Sequence, residues 1–306
     1  MIPYLMRRLV AGATVVIGLI TVTFFASHYI GDPVFLLVDR EFTSDAERES
    51  LIKSAGFDRP VWEQFWDFIV AAAHGDFGTS IWQNRPAAEV VLERLPASML
   101  LAGCTLLVTF AIAIPAAVLA ARSGNGRVNA VITVISTALG SLPAFWFALG
   151  LIFVFSVELK WLPTGGYGSW KNLLLPVLAL AVAPIGRYTQ LLEAGISTEL
   201  RRQYVSTARS KGLSERMVIA RHVIRNAGII GITLLGGEII ALLNGAVLVE
   251  TIFSWPGAGQ IALTAVLRRD LPVLMACVVY IGVVVTVVNL LVDVAYAAVD
   301  PRVRFS

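Results

Sequence analysis

Carboxylates inside apolar stretches are the groups in this sequence whose chemistry most needs a reason. Glu238 falls near the middle of an apolar run over about 229–249, and Asn244 follows it there. Asn289 and Asp293 stand four residues apart in a second run, about 273–299, on one helical face. A carboxylate at a bilayer centre costs roughly 2.5–3.5 kcal/mol on insertion scales, so each calls for a partner or a purpose. Two uses compete for Glu238, Asn244 and Asp293: a protonated or paired strut between helices, or a polar contact along a solute path. For Asp293, toward one end of its run, the strut is the simpler reading. If Glu238 is an ionised group in a wetted lumen, it would favour cationic cargo.

Other chemistry is missing. No G-x-x-x-x-G-K-[ST] stretch occurs, so the chain holds no phosphate-binding P-loop. Asp76-Phe77-Gly78 spells a kinase tripeptide without a Gly-rich loop, H-R-D stretch or lysine partner. His28, His74 and His222 are far apart, and Cys104 and Cys277 lie in apolar runs. Neither catalytic residues nor a metal site is expected, and the chain by itself reads as no enzyme.

The elements that must position these residues follow from composition. Of 306 residues, 57% are hydrophobic and 15% charged, against about 45–50% and about 25% in a soluble domain. Six runs approach the roughly 20 apolar residues needed to cross a bilayer, over about 9–30, 98–121, 129–157, 173–192, 229–249 and 273–299. Gly140 and Pro143 predict a kink or an interfacial start in the third, and Pro176 and Pro184 interrupt the fourth. The first has no A-x-A site after it and reads as an uncleaved anchor. With the N-terminus inside, Arg7, Arg8, Arg122, Arg127, Arg187, Arg201, Arg202, Arg209, Lys211, Arg216, Arg221, Arg225, Arg302 and Arg304 flank the cytoplasmic ends, and acidic residues dominate 31–97 outside. The basic balance is thus a topology signal, with no nucleic-acid partner implied.

Two polar segments stand out. Residues 31–97 read as an outer cap: Ser44-Asp45-Ala46-Glu47 forms a capping box, with Gly56 as C-cap. Pro60 opens a helix placing Trp62, Phe65, Trp66, Ile69 and Ala73 on one face, and a short helix over about 87–95 ends before Pro96. This cap rests on the membrane or receives an external partner. The cytoplasmic segment 193–227 reads as two basic helices, about 201–211 and 214–225, broken near Gly212. Such helices meet anionic lipid headgroups or another protein.

Residues 204–215, Tyr-Val-Ser-Thr-Ala-Arg-Ser-Lys-Gly-Leu-Ser-Glu, followed by Arg221-His222-Val223-Ile224-Arg225-Asn226-Ala227, resemble the EAA-type cytoplasmic loop of ABC importer permeases, in the dipeptide, oligopeptide and nickel branch. Gly56-Phe57-Asp58-Arg59-Pro60, Gly75-Asp76-Phe77-Gly78-Thr79-Ser80, Glu250-Thr251-Ile252-Phe253-Ser254-Trp255-Pro256-Gly257 and Arg269-Asp270-Leu271-Pro272 agree in order and spacing, as does Asn289-Leu290-Leu291-Val292-Asp293. Glu238 departs from the pattern, where an uncharged polar residue such as Gln is commoner.

The resemblance implies an all-α polytopic membrane protein of the type I importer class, with about six transmembrane helices and both termini cytoplasmic. It divides the chain into residues 1–30 (tail and first span), 31–97 (extracytoplasmic cap) and 98–306 (permease core with the coupling loop 193–227). It implies a bacterial plasma (inner) membrane location, a second related permease, two ATPase subunits holding ATP and Mg, and an extracytoplasmic substrate-binding protein. Besides membrane lipid, these are the expected partners, and the chain itself carries no cofactor. By the same resemblance, Tyr204, Thr207, Ala208, Arg209, Lys211, Gly212, Arg221 and Arg225 couple to the ATPase. Trp62, Trp66, Asp76 and Trp255 belong to the outer cap or docking surface, while Glu238, Asn244 and Asp293 are path candidates. The cargo stays open among dipeptide, longer peptide, glutathione, nickel and metallophore. An ion-gradient transporter is the alternative; it would want repeated halves and paired intramembrane charges, and no repeat is visible.

Overall fold

The computed structural model describes residues 2–30, 59–123 and 126–299, which are mainly helical. The capping box at 44–47 and Gly56 lie outside the described residues. Among the described residues, four stretches are long and apolar enough to cross a membrane, or five if a bent helix pair counts as one span. The run 229–249 lies inside a further helix, Ile224–Ile252, of 29 residues. Helices suit these runs because a bilayer offers no partner for free backbone groups. Hydroxyls in them bond back to their own helix: Thr105 to the Leu101 carbonyl, Thr189 to Ile185 and Thr251 to Val247, at 2.8, 2.7 and 2.7 Å.

The chain forms two compact units. The first comprises Met1–Pro96 and Gly257–Thr286. It contains α1 (Ile2–Ile30), α2 (Val61–Ala73), α3 (Ala87–Leu92), α11 (Ala258–Leu267) and the first part of α12 (Leu271–Val299). Gly12 and Gly282 let α1 lie against α12, because a Cβ on either would press on Thr286 or Val16. Phe24 and Phe25 meet Phe65 at ring-centroid distances of 5.3 and 5.5 Å, and Phe68 and Tyr280 flank Phe77 at 6.3 and 5.5 Å. The expected face of α2 is therefore rotated. Phe65 and Phe68 turn into this aromatic cluster, while Trp62 and Trp66 are 69% and 66% exposed. The short helix ends at Leu92, before Pro96 as expected, and Pro96 opens the next helix, Leu95–Arg122, where its missing N–H needs no partner.

The second unit comprises Ala97–Pro256 and Val287–Ser306. It holds most of α4 (Leu95–Arg122), α5 (Gly126–Gly140) and α6 (Ala144–Leu151), which continues as a π-helical turn to Glu158. Next come α7 (Trp170–Leu200), α8 (Gln203–Ser210), α9 (Glu215–Val218) and α10 (Ile224–Ile252). The third run is broken at residues 141–143, where its halves turn by 96°. Gly186 brings α7 onto α5: a Cβ there would fall on the Ser136 carbonyl and 2.5 Å from the Gly140 nitrogen. One apolar cluster joins α4, α6, α7 and α10 through Leu101, Ala148, Leu180 and Val249, and a second joins α4, α7, α8 and α9.

Candidate functional site

The segment between α7 and α10 is the first candidate. No separate element begins at residue 193, since α7 stays helical through Leu200 and keeps Leu192 and Ile196 in the second apolar cluster. The second expected helix is not separate either. α9 passes through a π-turn over Ile219–Val223 into α10 without a break, as suits a stretch with no Gly or Pro from Ser214 to Ala227. What projects is α8. Val205 and Ala208 anchor it among Tyr188, Leu192, Ile196, Val218 and Val223. The Tyr204 hydroxyl donates to Glu199 Oε2 at 2.6 Å. Thr207 is exposed and Lys211 ends the helix, its N–H donating to the Thr207 carbonyl at 3.1 Å.

Gly212 has φ +78°, a left-handed conformation, with nothing within 4 Å of a built Cβ. That conformation is what reverses the chain after α8. Arg209 closes the turn with a two-pronged contact to Glu215, at 3.0 Å from Nε and 2.7 Å from Nη2. The hydrogen bond from Arg209 lowers the Glu215 carboxyl below its ordinary value and raises the guanidinium. Arg221 is exposed in the π-turn; Arg225 opens the following helix, its side chain outside the described residues.

The polar residues of the long helices form the second candidate. Glu238 is the midpoint of α10 and is buried. It is not an unpartnered charge: the Tyr188 hydroxyl donates to its Oε2, and Arg187 Nη2 lies 3.5 Å from the same oxygen. Tyr188 also stacks on Phe110, with centroids 5.4 Å apart. Arg187, which charge counting assigns to the cytoplasmic flank, lies inside α7, two residues past that helix's midpoint at Ile185. In the sequence Arg187 interrupts the run 173–192 and Glu238 is an acid in want of a counter-ion, but nothing there pairs the two. The side chains of Asn244 and Asp293 lie outside the described residues.

The outer candidates separate. Asp76 Oδ1 accepts the Gly78 N–H at 2.8 Å and so shapes a turn. Trp255, expected at the outer surface, is 1% exposed and cannot offer a docking face. Its indole N–H donates to the Ala97 carbonyl at 3.0 Å, and its ring meets Tyr167 edge-on at 4.9 Å. Glu250, one turn earlier, is buried and accepts from Ser98 Oγ at 2.7 Å. Among the described residues, no three His, Cys, Asp or Glu side chains converge to hold a metal ion.

Comparison with known proteins decides the family. Residues 113–305 match the family described as "Binding-protein-dependent transport system inner membrane component". The chain belongs to this family. It is 35% identical to the oligopeptide transport system permease protein AppB of Bacillus subtilis (strain 168), over 100% of both chains. It is 34% identical to the glutathione transport system permease protein GsiC of Escherichia coli (strain K12), again over 100% of both. Among solved structures, an inward-facing MetNI methionine ABC transporter aligns with TM-score 0.60 at 16% identity, over 69% of this chain and 96% of that one. An amino acid ABC transporter with histidines aligns with TM-score 0.53 at 16% identity, over 69% and 94%. The fold is thus that of ABC importer permeases. The protein is a multi-pass inner-membrane permease subunit, and the ion-gradient alternative gives way to ABC import.

Proposed function

We propose that this permease is one of two different permease subunits in an importer of short peptides or peptide-like solutes, glutathione among them. Cargo arrives on an extracytoplasmic substrate-binding protein, and two separate ATPase subunits hold ATP and Mg. The oligopeptide and glutathione permeases that match it end to end support this cargo class. The observation that carries the coupling role is the seating of α8. Its Val205 and Ala208 are locked to α4, α7 and α9, while Gln203, Thr207, Ser210 and Lys211 stay exposed. Closure of an ATPase dimer under that exposed face would move α7 with it, because packed rigid elements carry such couplings.

The test is reconstitution of the whole assembly in proteoliposomes with its loaded binding protein. Uptake of a labelled tripeptide or glutathione that needs both ATP and binding protein is expected. A disulfide between Thr207→Cys and a cysteine in the ATPase groove should form and block uptake. ATP-independent uptake, or no crosslink anywhere along α8, would overturn the reading.

A further inference from the structure

We propose that Arg187 is a specificity-determining residue of the transport path, a guanidinium that contacts carboxylate groups of peptide cargo; this rests on the peptide-import reading above. An ionisable residue within a membrane-spanning segment marks a functional site by default, and Arg187 lies inside the candidate span Trp170–Leu200. Its environment is asymmetric. Its side chain is 54% exposed, while that of its partner Glu238 is 3% exposed. Among the described residues, the contacts of Arg187 are Nη2 to the carboxylate at 3.5 Å and the guanidinium carbon 6.0 Å from the centre of the Tyr188 ring, fewer than its five N–H donors could serve. Arginine is suited to this, since its planar fork matches a carboxylate.

The surroundings of Arg187 are polar on one side. A Cβ on Gly140 would sit 3.6 Å from the Arg187 backbone nitrogen, so α5 passes directly alongside. There α5 exposes Thr133 and Thr137, Ser141 follows just past its end, and Gln190 of α7 donates to Thr137 Oγ1 at 2.9 Å. The same helix exposes Val131, Val134 and Ile135 elsewhere on its circumference. One side of α5 thus suits lipid, and the other suits water and polar solute. Threonine and serine can satisfy themselves against their own helix, whereas Gln190 reaches across to Thr137 and Arg187 to Glu238.

Glu238 acts as the built-in counter-charge. It holds Arg187 in place through a buried contact that Tyr188 completes, and it tempers the attraction for an incoming anion. A path residue needs that balance, because transport requires release as well as contact.

The experiment uses the complete assembly in proteoliposomes and the tripeptides Ala-Glu-Ala, Ala-Gln-Ala and Ala-Lys-Ala, each loaded on the same binding protein. Any preference of the binding protein cancels when the ratio of rates in a variant is divided by that in the wild type. Arg187→Gln is expected to lower the Ala-Glu-Ala to Ala-Lys-Ala rate ratio by about tenfold, the scale of one charge-assisted hydrogen bond. The neutral pair Arg187→Gln/Glu238→Gln removes the unpaired buried carboxylate and should assemble with the same loss of preference. Equal loss for all three peptides, restored in the double variant, would make the pair a helix strut and overturn the proposal. An unchanged ratio, or failure of both variants to assemble, would overturn it equally. A wild-type assembly that imports none of the three would overturn the peptide reading together with it.

Discussion

Ser80 and Asp270, 190 residues apart in the chain, are joined by a 2.5 Å hydrogen bond from the serine hydroxyl to Asp270 Oδ2. The same carboxylate receives the backbone N–H groups of Ile81 and Trp82 at 3.4 and 3.5 Å, and the Trp82 indole donates to the Arg268 carbonyl at 2.9 Å. Ser80 Oγ in turn accepts the Gln83 N–H at 3.0 Å. Two short stretches of the family pattern, Gly75–Ser80 and Arg269–Pro272, thus form one clasp. Arg269, at φ +53°, is the turn between α11 and α12 that points Asp270 at the loop.

Asp270→Asn should break this clasp, since an amide nitrogen would face donors where an acceptor is required. The loss should be about 1–3 kcal/mol, the usual penalty for leaving buried partners unsatisfied. Thermal unfolding of the purified assembly and protease cleavage within 76–86 would measure it. Ser80→Ala, which keeps the carboxylate, should cost less.

Gly212→Val should uncouple ATP hydrolysis from uptake while leaving the chain inserted. The obstacle is conformational, because a Cβ finds open space at φ +78° but a β-branched residue resists that backbone by about 1–2 kcal/mol. Gly212→Asn, which tolerates the left-handed region, should retain most coupling. Paired ATPase and uptake assays on both variants check this, and equal uptake in Gly212→Val and wild type would count against the turn.

The Arg209–Glu215 contact should weaken in acid. Glu215 has its folded-state pKa lowered below the ordinary value of 4.5. Its contribution is therefore fully present above about pH 4.5 and fades as pH falls through the lowered value. Both side chains are partly exposed, so the effect is about 0.2–1 kcal/mol and shrinks in high salt. Hydrogen exchange of residues 209–215, followed downward from neutral pH, should show protection lost in wild type and little pH response in Glu215→Gln.

The tryptophans should divide by burial. Trp255→Ala removes a buried ring and the bond to Ala97, at an expected cost of about 3–5 kcal/mol, read as loss of folded assembly. Trp62→Ala and Trp66→Ala should shift stability by no more than about 0.5 kcal/mol. If α2 receives the binding protein, those two changes should weaken its affinity for the proteoliposomes; unchanged affinity leaves α2 only a place on the membrane surface.

The amino-acid sequence by itself determined the helices and the turn at Gly212. Apolar runs of bilayer length, a proline in a first turn and a glycine after a basic helix act through neighbours in the chain, so local pattern reveals them. The bend after Gly140 was legible for the same reason. Tertiary structure alone decided which side of α2 turns inward, because Phe24 and Phe77 come from distant segments to meet Phe65 and Phe68. It also decided that Trp255 is buried and that Glu238 faces Arg187. An ion pair between residues 51 positions apart has no period to betray it: it forms because α10 packs beside α7. Charge counting weighs Arg187 and Glu238 one at a time and so cannot pair them. The cost of burying a charge is set by its partner, and only the fold supplies the partner.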